Sequence, residues 1–366
     1  MEQPLSPQQT QPEPGSSSGR VRRPIPWWRK LLYALLPVVL LCVIGEVVAR
    51  VRYSALFSLS DARSTQRTMV RAGYPSAYDA NLGWIPRSGA SGEENYWHTR
   101  VTIDSRSFRS HPQLAPAGAP MILAAGDSFT FGDGVNDDES WPAHLERLSS
   151  QHVVNAGVFG YGLDQMVLRT ELVAPQLHPD WIVVAFYPDD IRRCGDSCYA
   201  AQKPYFTLQD DKLVLQNVPV PTPDRDKPSR IKVWMGYSYL LNSIFVRLFP
   251  AWWLGDARVV PVHNDAPAVA KSLIDRLAKV KDSLHCKVLL VAITRVRTDE
   301  EDVSASRKLL RTGAADGLDT LLLALPRRME NASKHFNSEG NAWIAEQILG
   351  RMQGKTESEV ALPEAN

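Results

Sequence analysis

The sequence is short of cysteine, of net charge and of internal repeats. Four cysteines in 366 residues are too few for a disulfide-rich scaffold. Basic and acidic residues number 41 and 40, and this balance gives no sign of a nucleic-acid partner. The residues also imply no cofactor and no metal. A chain that is 44% hydrophobic can nevertheless bury a substantial core, in one large domain or in two ordinary ones.

The four cysteines have different surroundings. Cys42 lies in an apolar segment and Cys286 opens a strand-like run, so we expect both to be inert. Cys194 and Cys198, in RRCGDSC, would close a small disulfide loop in an oxidising compartment, but they could equally remain thiols. A metal site there would need more ligands than the neighbouring residues offer.

A long apolar run follows a polar start. Residues 1–26 are rich in glutamine, proline and serine and are predicted to form a disordered tail. Leu31 to Ala49 contain Glu46 as their only charge, and about 19 residues span roughly 28 Å as a helix, close to the thickness of a bilayer core. We therefore predict an uncleaved transmembrane anchor over 27–53. A buried core helix and a cleaved signal peptide are the alternatives, although the long leading region and the missing small-x-small site disfavour the signal peptide.

The charges around this run predict its orientation. Trp27 and Trp28 stand where an interfacial aromatic belt would lie, and only Arg50 and Arg52 follow closely. The cations that precede the run are Arg20, Arg22, Arg23, Arg29 and Lys30. Because cytoplasmic flanks carry the excess of lysine and arginine, we predict a cytoplasmic amino terminus and export of the rest of the chain.

The exported part has an α/β pattern. We predict a stalk with a small packed segment over 54–118, an α/β domain over 119–355 with an insertion at about 194–264, and a flexible tail over 356–366. The predicted strands are Met121–Ala125, His152–Ala156, Trp181–Tyr187 and Lys287–Ile293, and the predicted helices are Ser140–Ser149, Asp164–Gln176, Pro267–Leu284 and Asn337–Met352. Near-continuous apolar strands favour a parallel sheet covered by helices on both faces, a three-layer, flavodoxin-like fold.

The insertion carries two local signals. Pro204–Leu208 and Lys212–Leu215 flank a polar turn and predict a β-hairpin. Ser238 to Trp253 is strongly apolar and predicts a helix that docks either on the domain or on the membrane surface; we favour the core of the domain.

Chemically useful side chains follow the predicted strands, where the carboxyl ends of an open α/β sheet hold functional residues. They offer a hydroxyl, backbone amides, carboxylates and an imidazole, which together suffice for acyl transfer. Any one motif is weak, because Gly-Asp-Ser is also good turn chemistry. The candidates are Asp127 and Ser128 after the first strand, Asn155 and Gly160 after the second, Asp189 and Asp190 after the third, and His335 before the last helix.

In combination and order, these motifs resemble the SGNH (GDSL-type) hydrolase family over roughly 121–352. The matching blocks are GDSFTFGDGV (126–135), VVNAGVFGYG (153–162) and HFNSEGNAWIAE (335–346), with NLGWIP and VTIDSRSFRS upstream. The resemblance implies that Ser128 is the nucleophile and that its backbone amide contributes to the oxyanion hole. It implies Gly160 as the second amide donor and His335 as the general base. Asp127, Asn155 and Asp190 are candidate substrate-binding residues.

Two positions depart from the family pattern. Asp189 stands where the family has an asparagine that donates a hydrogen bond to the oxyanion, and an ionised carboxylate cannot donate. Asp189 therefore joins the oxyanion hole only if it is protonated. Ala332 stands where the family has the aspartate that orients the imidazole, and Lys334 beside the histidine disfavours the imidazolium. A Ser128–His335 dyad would still work, more slowly.

The sequence thus predicts a single-pass bacterial inner-membrane protein with a periplasmic catalytic domain. Its expected activity is ester hydrolysis or acyl transfer on cell-envelope glycan or lipid esters, with O-acetyl groups on a polysaccharide favoured by analogy of fold and place. One alternative is a catalytically degenerate, glycan-binding or scaffold subunit with partner proteins in an envelope polysaccharide assembly. Another is an acyltransferase that works with a membrane-embedded acyl-donor protein.

Overall fold

The fold is that of a computed structural model, which describes residues 26–52, 76–93, 99–199, 201–222, 230–254, 260–262, 265–331 and 334–361. The predicted disordered tail up to residue 25 and the departure at Ala332 lie outside the described residues. The helices are α1 Trp27–Arg52, α2 Ser128–Phe131, α3 Trp141–Ser149, α4 Leu163–Leu177, α5 Pro188–Arg193, α6 Arg230–Met235, α7 Tyr239–Leu248, α8 Pro250–Leu254, α9 Ala266–Leu284, α10 Glu300–Ala315 and α11 Ser338–Met352. The strands are β1 Ser76–Asp79, β2 Gly83–Pro86, β3 Ser91–Glu93, β4 Arg100–Thr102, β5 Met121–Gly126, β6 His152–Asn155, β7 Trp181–Phe186, β8 Asp196–Cys198, β9 Tyr205–Gln209, β10 Lys212–Gln216, β11 Val260–Pro261, β12 Lys287–Arg295, β13 Asp319–Leu325 and β14 Glu359–Ala361.

A six-stranded sheet in the order β14-β13-β12-β7-β5-β6 forms the centre of the domain. Every neighbouring pair in it is parallel. The strands are apolar and buried along almost their whole length, because helices cover both faces. Helices α4, α9 and α10 pack together, and α3 packs against α11. The predicted α/β class, a parallel sheet flanked by helices, is confirmed.

Two strands of this sheet were not predicted. β13 is an apolar run of leucine and alanine, which has no alternation and suits a buried helix as well as a buried strand. β14 lies within the segment predicted to be a flexible tail, yet it pairs in parallel with β13. Its short sequence, Glu-Val-Ala, carries no strand signal beyond one branched residue, so its extended conformation depends on pairing with β13 at the edge of the sheet.

The segment that precedes the sheet packs into the domain. Trp84 on β2 is fully buried, and its indole N–H donates to the backbone oxygen of Phe159, 2.9 Å away. Tyr161 returns a hydrogen bond from its hydroxyl to the backbone oxygen of Trp84 at 2.5 Å. The described part of the predicted stalk and packed segment therefore braces the loop after β6.

The insertion is only partly as predicted. The hairpin is confirmed, since β9 and β10 pair antiparallel. The expectation that Ser238 to Trp253 is a core helix is wrong: the segment forms α7 and α8, and Leu248, Phe249 and Trp252 are each more than half exposed. The apolar composition indicated a helix, but it could not show that α4, α9 and α10 already pack together against the sheet.

A buried ion pair fastens the insertion to the sheet domain. Lys203 Nζ lies 2.5 Å from Asp164 Oδ2 in the first turn of α4, and both side chains are fully buried. The same ammonium donates to the backbone oxygens of Arg193 and Asp196, each at 3.1 Å. Cys194 and Cys198 nearby are both buried thiols rather than a disulfide.

The N-terminal helix α1 stands apart in character. Residues Trp27–Val51, 25 in number, are long and apolar enough to cross a membrane, and they would extend about 38 Å. A signal sequence would have the same features near an N-terminus. Glu46 pairs with Arg50 one turn later at 2.7 Å, which reduces the cost of a carboxylate near the end of an apolar helix.

Candidate active site

Ser128 lies immediately beyond β5 and begins the one-turn helix α2. Asp127 caps this turn by accepting the Phe129 N–H at 2.9 Å. Gly126 precedes them because a Cβ at that position would lie 2.5 Å from the backbone oxygen of Ala185 on β7. The strand can therefore turn at once into α2, and Ser128 remains at the carboxyl edge of the sheet.

His335 meets Ser128 from the loop before α11. Its Nε2 atom is 2.9 Å from the Ser128 hydroxyl oxygen, which is the distance needed for proton transfer. The imidazole packs on the ring of Phe129, with ring centroids 5.0 Å apart. The structure thus brings together the two residues predicted to be catalytic.

Backbone contacts fix the loop that carries His335. The backbone N–H of His335 donates to Asn331 Oδ1 at 3.1 Å. Arg295, at the end of β12, donates to the backbone oxygen of Lys334 at 2.6 Å and pairs with Glu330, also at 2.6 Å. Lys334 itself has φ +63°, a left-handed conformation that these contacts stabilise.

A carboxylate that was not predicted to belong to the site also faces the imidazole. Asp133 Oδ2 lies 3.8 Å from His335 Nε2, and the Asp133 side chain is almost fully buried. The family pattern places its carboxylate three residues before the histidine, whereas Asp133 belongs to the block of the nucleophile. Only the GDG of that block hinted at it, and glycine-flanked aspartate is also ordinary turn chemistry.

The glycine-rich segment after β6 packs directly against α2. A Cβ on Gly157 would lie 2.5 Å from the Phe131 backbone nitrogen, so only glycine allows this approach. Gly160 has φ +74°, which also favours glycine. The Asn155 amide donates to the backbone oxygens of Thr130 and Phe131 at 3.0 and 3.3 Å.

Three predicted substrate-binding residues are buried by protein instead. Asn155, Asp127 and Asp190 each expose 1% of their surface or less. Asp190 accepts the Tyr187 N–H at 2.7 Å, and the other two bind α2 as described. These polar groups already have protein partners, so we assign them to shaping the loops rather than to contact with a substrate.

Helix α5 places the guanidinium of Arg193 among the segments that follow β5, β6 and β7. Arg193 lies 2.7 Å from Asp190 Oδ1, 2.9 Å from Asp189 Oδ2 and 4.0 Å from Asp127 Oδ2. It also donates to the backbone oxygen of Tyr161 at 2.9 Å. One feature of the sequence pointed to Arg193, its spacing of three and four residues from the two acids, but this spacing alone does not distinguish a functional site from a surface ion pair.

The charge states of these acids differ. Burial raises the pKa of Asp127 to about 6, against the opposing effect of Arg193. Burial and the neighbouring Asp127 raise the pKa of Asp190 well above its usual value. Burial would also raise the pKa of Asp189, but Arg193 and Arg192 more than offset it and hold that pKa below its usual value. Asp189 is therefore ionised at neutral pH, and the condition under which it could donate to an oxyanion is not met.

Arg109 supports the chain beyond α2. Its buried guanidinium donates to the backbone oxygens of Phe131, Gly132 and Val135 at 2.8, 2.5 and 2.6 Å. It also lies 3.4 Å from Asp137. These contacts hold the segment between Ser128 and Asp137, which includes Asp133, against the domain.

Comparison with known proteins gives similarity in structure only. No protein-family model and no curated protein sequence matches the chain. Among solved structures, TesA is 14% identical with a TM-score of 0.39, over 64% of this chain and 99% of that one. A protein assigned to the G-D-S-L lipolytic family from Desulfitobacterium hafniense is 13% identical with a TM-score of 0.33, over 62% and 96%. Axe2, an acetylxylan esterase from Geobacillus stearothermophilus, is 12% identical with a TM-score of 0.37, over 66% and 96%.

The resemblance to SGNH hydrolases is a likeness of fold. At these identities and scores it says nothing of the substrate, and the chemistry rests on the chain's own residues. Within the described residues, no group of three or more histidine, cysteine, aspartate or glutamate side chains is arranged to hold a metal ion.

Proposed function

We propose that the protein is a membrane-anchored serine ester hydrolase or acyl-transfer enzyme. The observation that carries this proposal is the 2.9 Å contact between the Ser128 hydroxyl oxygen and His335 Nε2, at the carboxyl edge of a parallel sheet. A serine and a histidine in this contact form the minimal pair for nucleophilic acyl transfer.

In the acylation step, the Ser128 oxygen attacks the ester carbonyl carbon while its proton passes to His335 Nε2. The tetrahedral intermediate places negative charge on the former carbonyl oxygen, and the backbone amides of Ser128 and Gly160 are the proposed donors to it. The intermediate then collapses: the carbon–oxygen bond to the leaving alcohol breaks, and His335 returns the proton to that alcohol. Water or an acceptor hydroxyl releases the acyl group from Ser128 by the same steps in reverse order.

Asp133 supplies the negative charge that the imidazolium needs. It lies 3.8 Å from the nitrogen that receives the proton, so it stabilises the charged form of His335 by electrostatic attraction. We assign Asp133 a positioning and charge-stabilising role, since it reaches the reacting atoms through His335.

The cellular setting is proposed from the N-terminal part of the chain. The length of α1 and the excess of cations before it support a single pass with a cytoplasmic amino terminus. The domain would then face the periplasm of a bacterium, where glycan and lipid esters of the cell envelope are the available substrates. O-acetyl groups on a polysaccharide are the proposed first choice, and envelope-assembly proteins are the proposed partners.

A non-catalytic, glycan-binding role is the second candidate. The ionised Asp189 favours it, because a carboxylate in place of a side-chain donor opposes the negative charge that develops in the transition state. The contact between Ser128 and His335 opposes it, because a surface that only binds glycans has no chemical need for an aligned hydroxyl and imidazole.

Labelling with a serine-directed fluorophosphonate separates these candidates. We expect the full-length protein to be labelled and the Ser128→Ala variant to remain unlabelled, whereas Ser272→Ala, on the outer surface of α9, is labelled like the parent. His335→Ala should slow labelling by about 10²–10⁴-fold, the usual contribution of a general base. A folded parent protein that resists labelling would instead support the glycan-binding role.

A further inference from the structure

Residues 230–254, which form α6, α7 and α8, carry an unusual set of side chains. Seven of these 25 residues are aromatic, three are basic and none is acidic. The basic residues are Arg230, Lys232 and Arg247. Without acidic residues this segment is positively charged, in a chain whose two signs are otherwise balanced.

The large apolar side chains of this segment face solvent. Five of them are at least half exposed, although exposed tryptophan and phenylalanine are costly in water. We call them the aromatic patch: Ile231, Trp234, Leu248, Phe249 and Trp252. On α6, Ile231 and Trp234 are three residues apart and share one face.

Direct contacts connect the three helices beneath the patch. The ammonium of Lys232 on α6 stands 5.2 Å from the Trp252 ring on α8. Phe245 on α7 contacts Phe249 and Trp252, with centroids 6.2 and 5.4 Å apart. The three helices that carry the exposed residues are thus in direct contact with one another.

The helices that carry the patch are tied to one another by buried side chains. Trp253 is fully buried, and its indole N–H donates to Asn242 Oδ1 at 2.7 Å. Phe245 stacks on Trp253, with centroids 5.0 Å apart. Because Trp253 and Asn242 join α7 to α8, the outward side chains of the two helices are presented together. Several large exposed apolar side chains on helices that contact one another indicate an interaction site.

We propose that the aromatic patch docks the domain onto the surface of a bilayer that contains anionic lipid. Tryptophan and phenylalanine favour the membrane–water interface, and cations beside an apolar face bind anionic headgroups while the apolar side chains enter the acyl boundary. The three cations and the missing acids provide the charge complementarity. The inference uses the proposed anchor as the source of the bilayer and is independent of the proposed catalysis.

A second copy of the chain is a poorer occupant for this surface. In a two-fold interface the same patch meets itself, so three cations would face three cations with no acid from residues 230–254 between them. A bilayer removes the apolar side chains from water and supplies the opposite charge in one event.

The test places a fluorescent label on the patch in the full-length protein. Cys42→Ser removes the exposed thiol of α1 and leaves three buried cysteines; Leu248→Cys then accepts an environment-sensitive dye. The protein is reconstituted in vesicles of phosphatidylcholine, with or without phosphatidylglycerol. Lipids that carry a spin label near the headgroup should quench the dye when phosphatidylglycerol is present. The quenching should decrease in neutral vesicles and at high salt, since salt screens surface charge.

Leu114→Cys is the matched control. Leu114 is also a leucine in the exported domain and is 57% exposed, against 65% for Leu248, but it lies outside residues 230–254. We expect its dye to escape quenching in every vesicle. Equal quenching at both positions, or none at position 248, would overturn the proposal. A change at position 248 that depends on protein concentration and not on lipid would also overturn it and point to contact between copies.

Discussion

At the scale of single residues, Ser128, His335 and Asp133 lie together at the carboxyl edge of the sheet. His335 Nε2 is 2.9 Å from the Ser128 hydroxyl oxygen and 3.8 Å from Asp133 Oδ2. Ser128 and His335 could be predicted because each belongs to a contiguous motif that can be recognised in the sequence alone. Asp133 could not, because its contact with His335 joins two loops distant in sequence and depends on how α2 turns.

Asp133→Asn tests the role of this carboxylate. We expect kcat/KM for an activated ester to decrease roughly tenfold, equivalent to about 1.4 kcal/mol. This is below the upper bound of about 4 kcal/mol for two charges at ~4 Å and an effective dielectric of ~20, because the histidine is partly exposed. The acid limb of the pH profile should move to lower pH, since loss of a nearby negative charge disfavours the protonated imidazole.

Asp138→Asn provides the control for this substitution. It removes the same charge from the same loop at a partly exposed position whose backbone, not its carboxylate, binds Arg147. Its pH profile should match that of the parent. If Asp133→Asn lowered activity without moving the acid limb, Asp133 would be structural only.

At the scale of elements, helix α5 determines the charge of the segment that follows β7. Its first turn carries Asp189 and Asp190, and its last turn carries Arg192 and Arg193. The spacing of three and four residues aligns acids with arginines on one face, and this alignment keeps Asp189 ionised. The sequence predicted the acids at the strand end but not their pairing, because a strand end followed by a polar stretch does not reveal that the stretch is helical.

Asp189→Asn should therefore increase activity. Under the proposed mechanism, asparagine would supply the side-chain N–H donor that the SGNH pattern has at this position, and one such donor is worth on the order of 10²–10³ in kcat. Because Arg193 loses one of its two close carboxylate partners, we expect a smaller gain, roughly tenfold, in kcat for an activated ester. KM should change little.

Asp302→Asn is the matched control for this change. Asp302, on the neighbouring helix α10, pairs with the same Arg192 at 2.6 Å. Its loss therefore disturbs a similar surface ion pair and leaves the residues of α5 unchanged. It should not alter kcat. A decrease in kcat for Asp189→Asn would show that the ion pair between Asp189 and Arg193 contributes more to activity than an added N–H donor does.

At the scale of the whole molecule, the parallel sheet brings the separate blocks of sequence to one edge. Four of its strands could be predicted from apolar runs, whose burial on both faces leaves little alternation to misinterpret. Four of the flanking helices, α3, α4, α9 and α11, were also predicted, whereas α10 was not. β13, β14 and the exposed face of α7 and α8 could not, because edge pairing and the filling of the core are properties of the assembled domain. The same limit applies to the aromatic patch: the apolar sequence of residues 238–253 left docking on the domain and on a membrane surface both open, and only the structure shows that large side chains of the segment are exposed.

Acylation of Ser128 is the most direct measurement of the proposed chemistry. The full-length protein is mixed with p-nitrophenyl acetate, stopped in acid and digested, and the peptide containing Ser128 is analysed by mass spectrometry. We expect an acetyl group on Ser128, formed together with one equivalent of rapidly released nitrophenol, and neither in the Ser128→Ala or His335→Ala variants. An unmodified Ser128 in a folded protein, or an acetyl group on another residue that accounts for all the released nitrophenol, would contradict the proposed function.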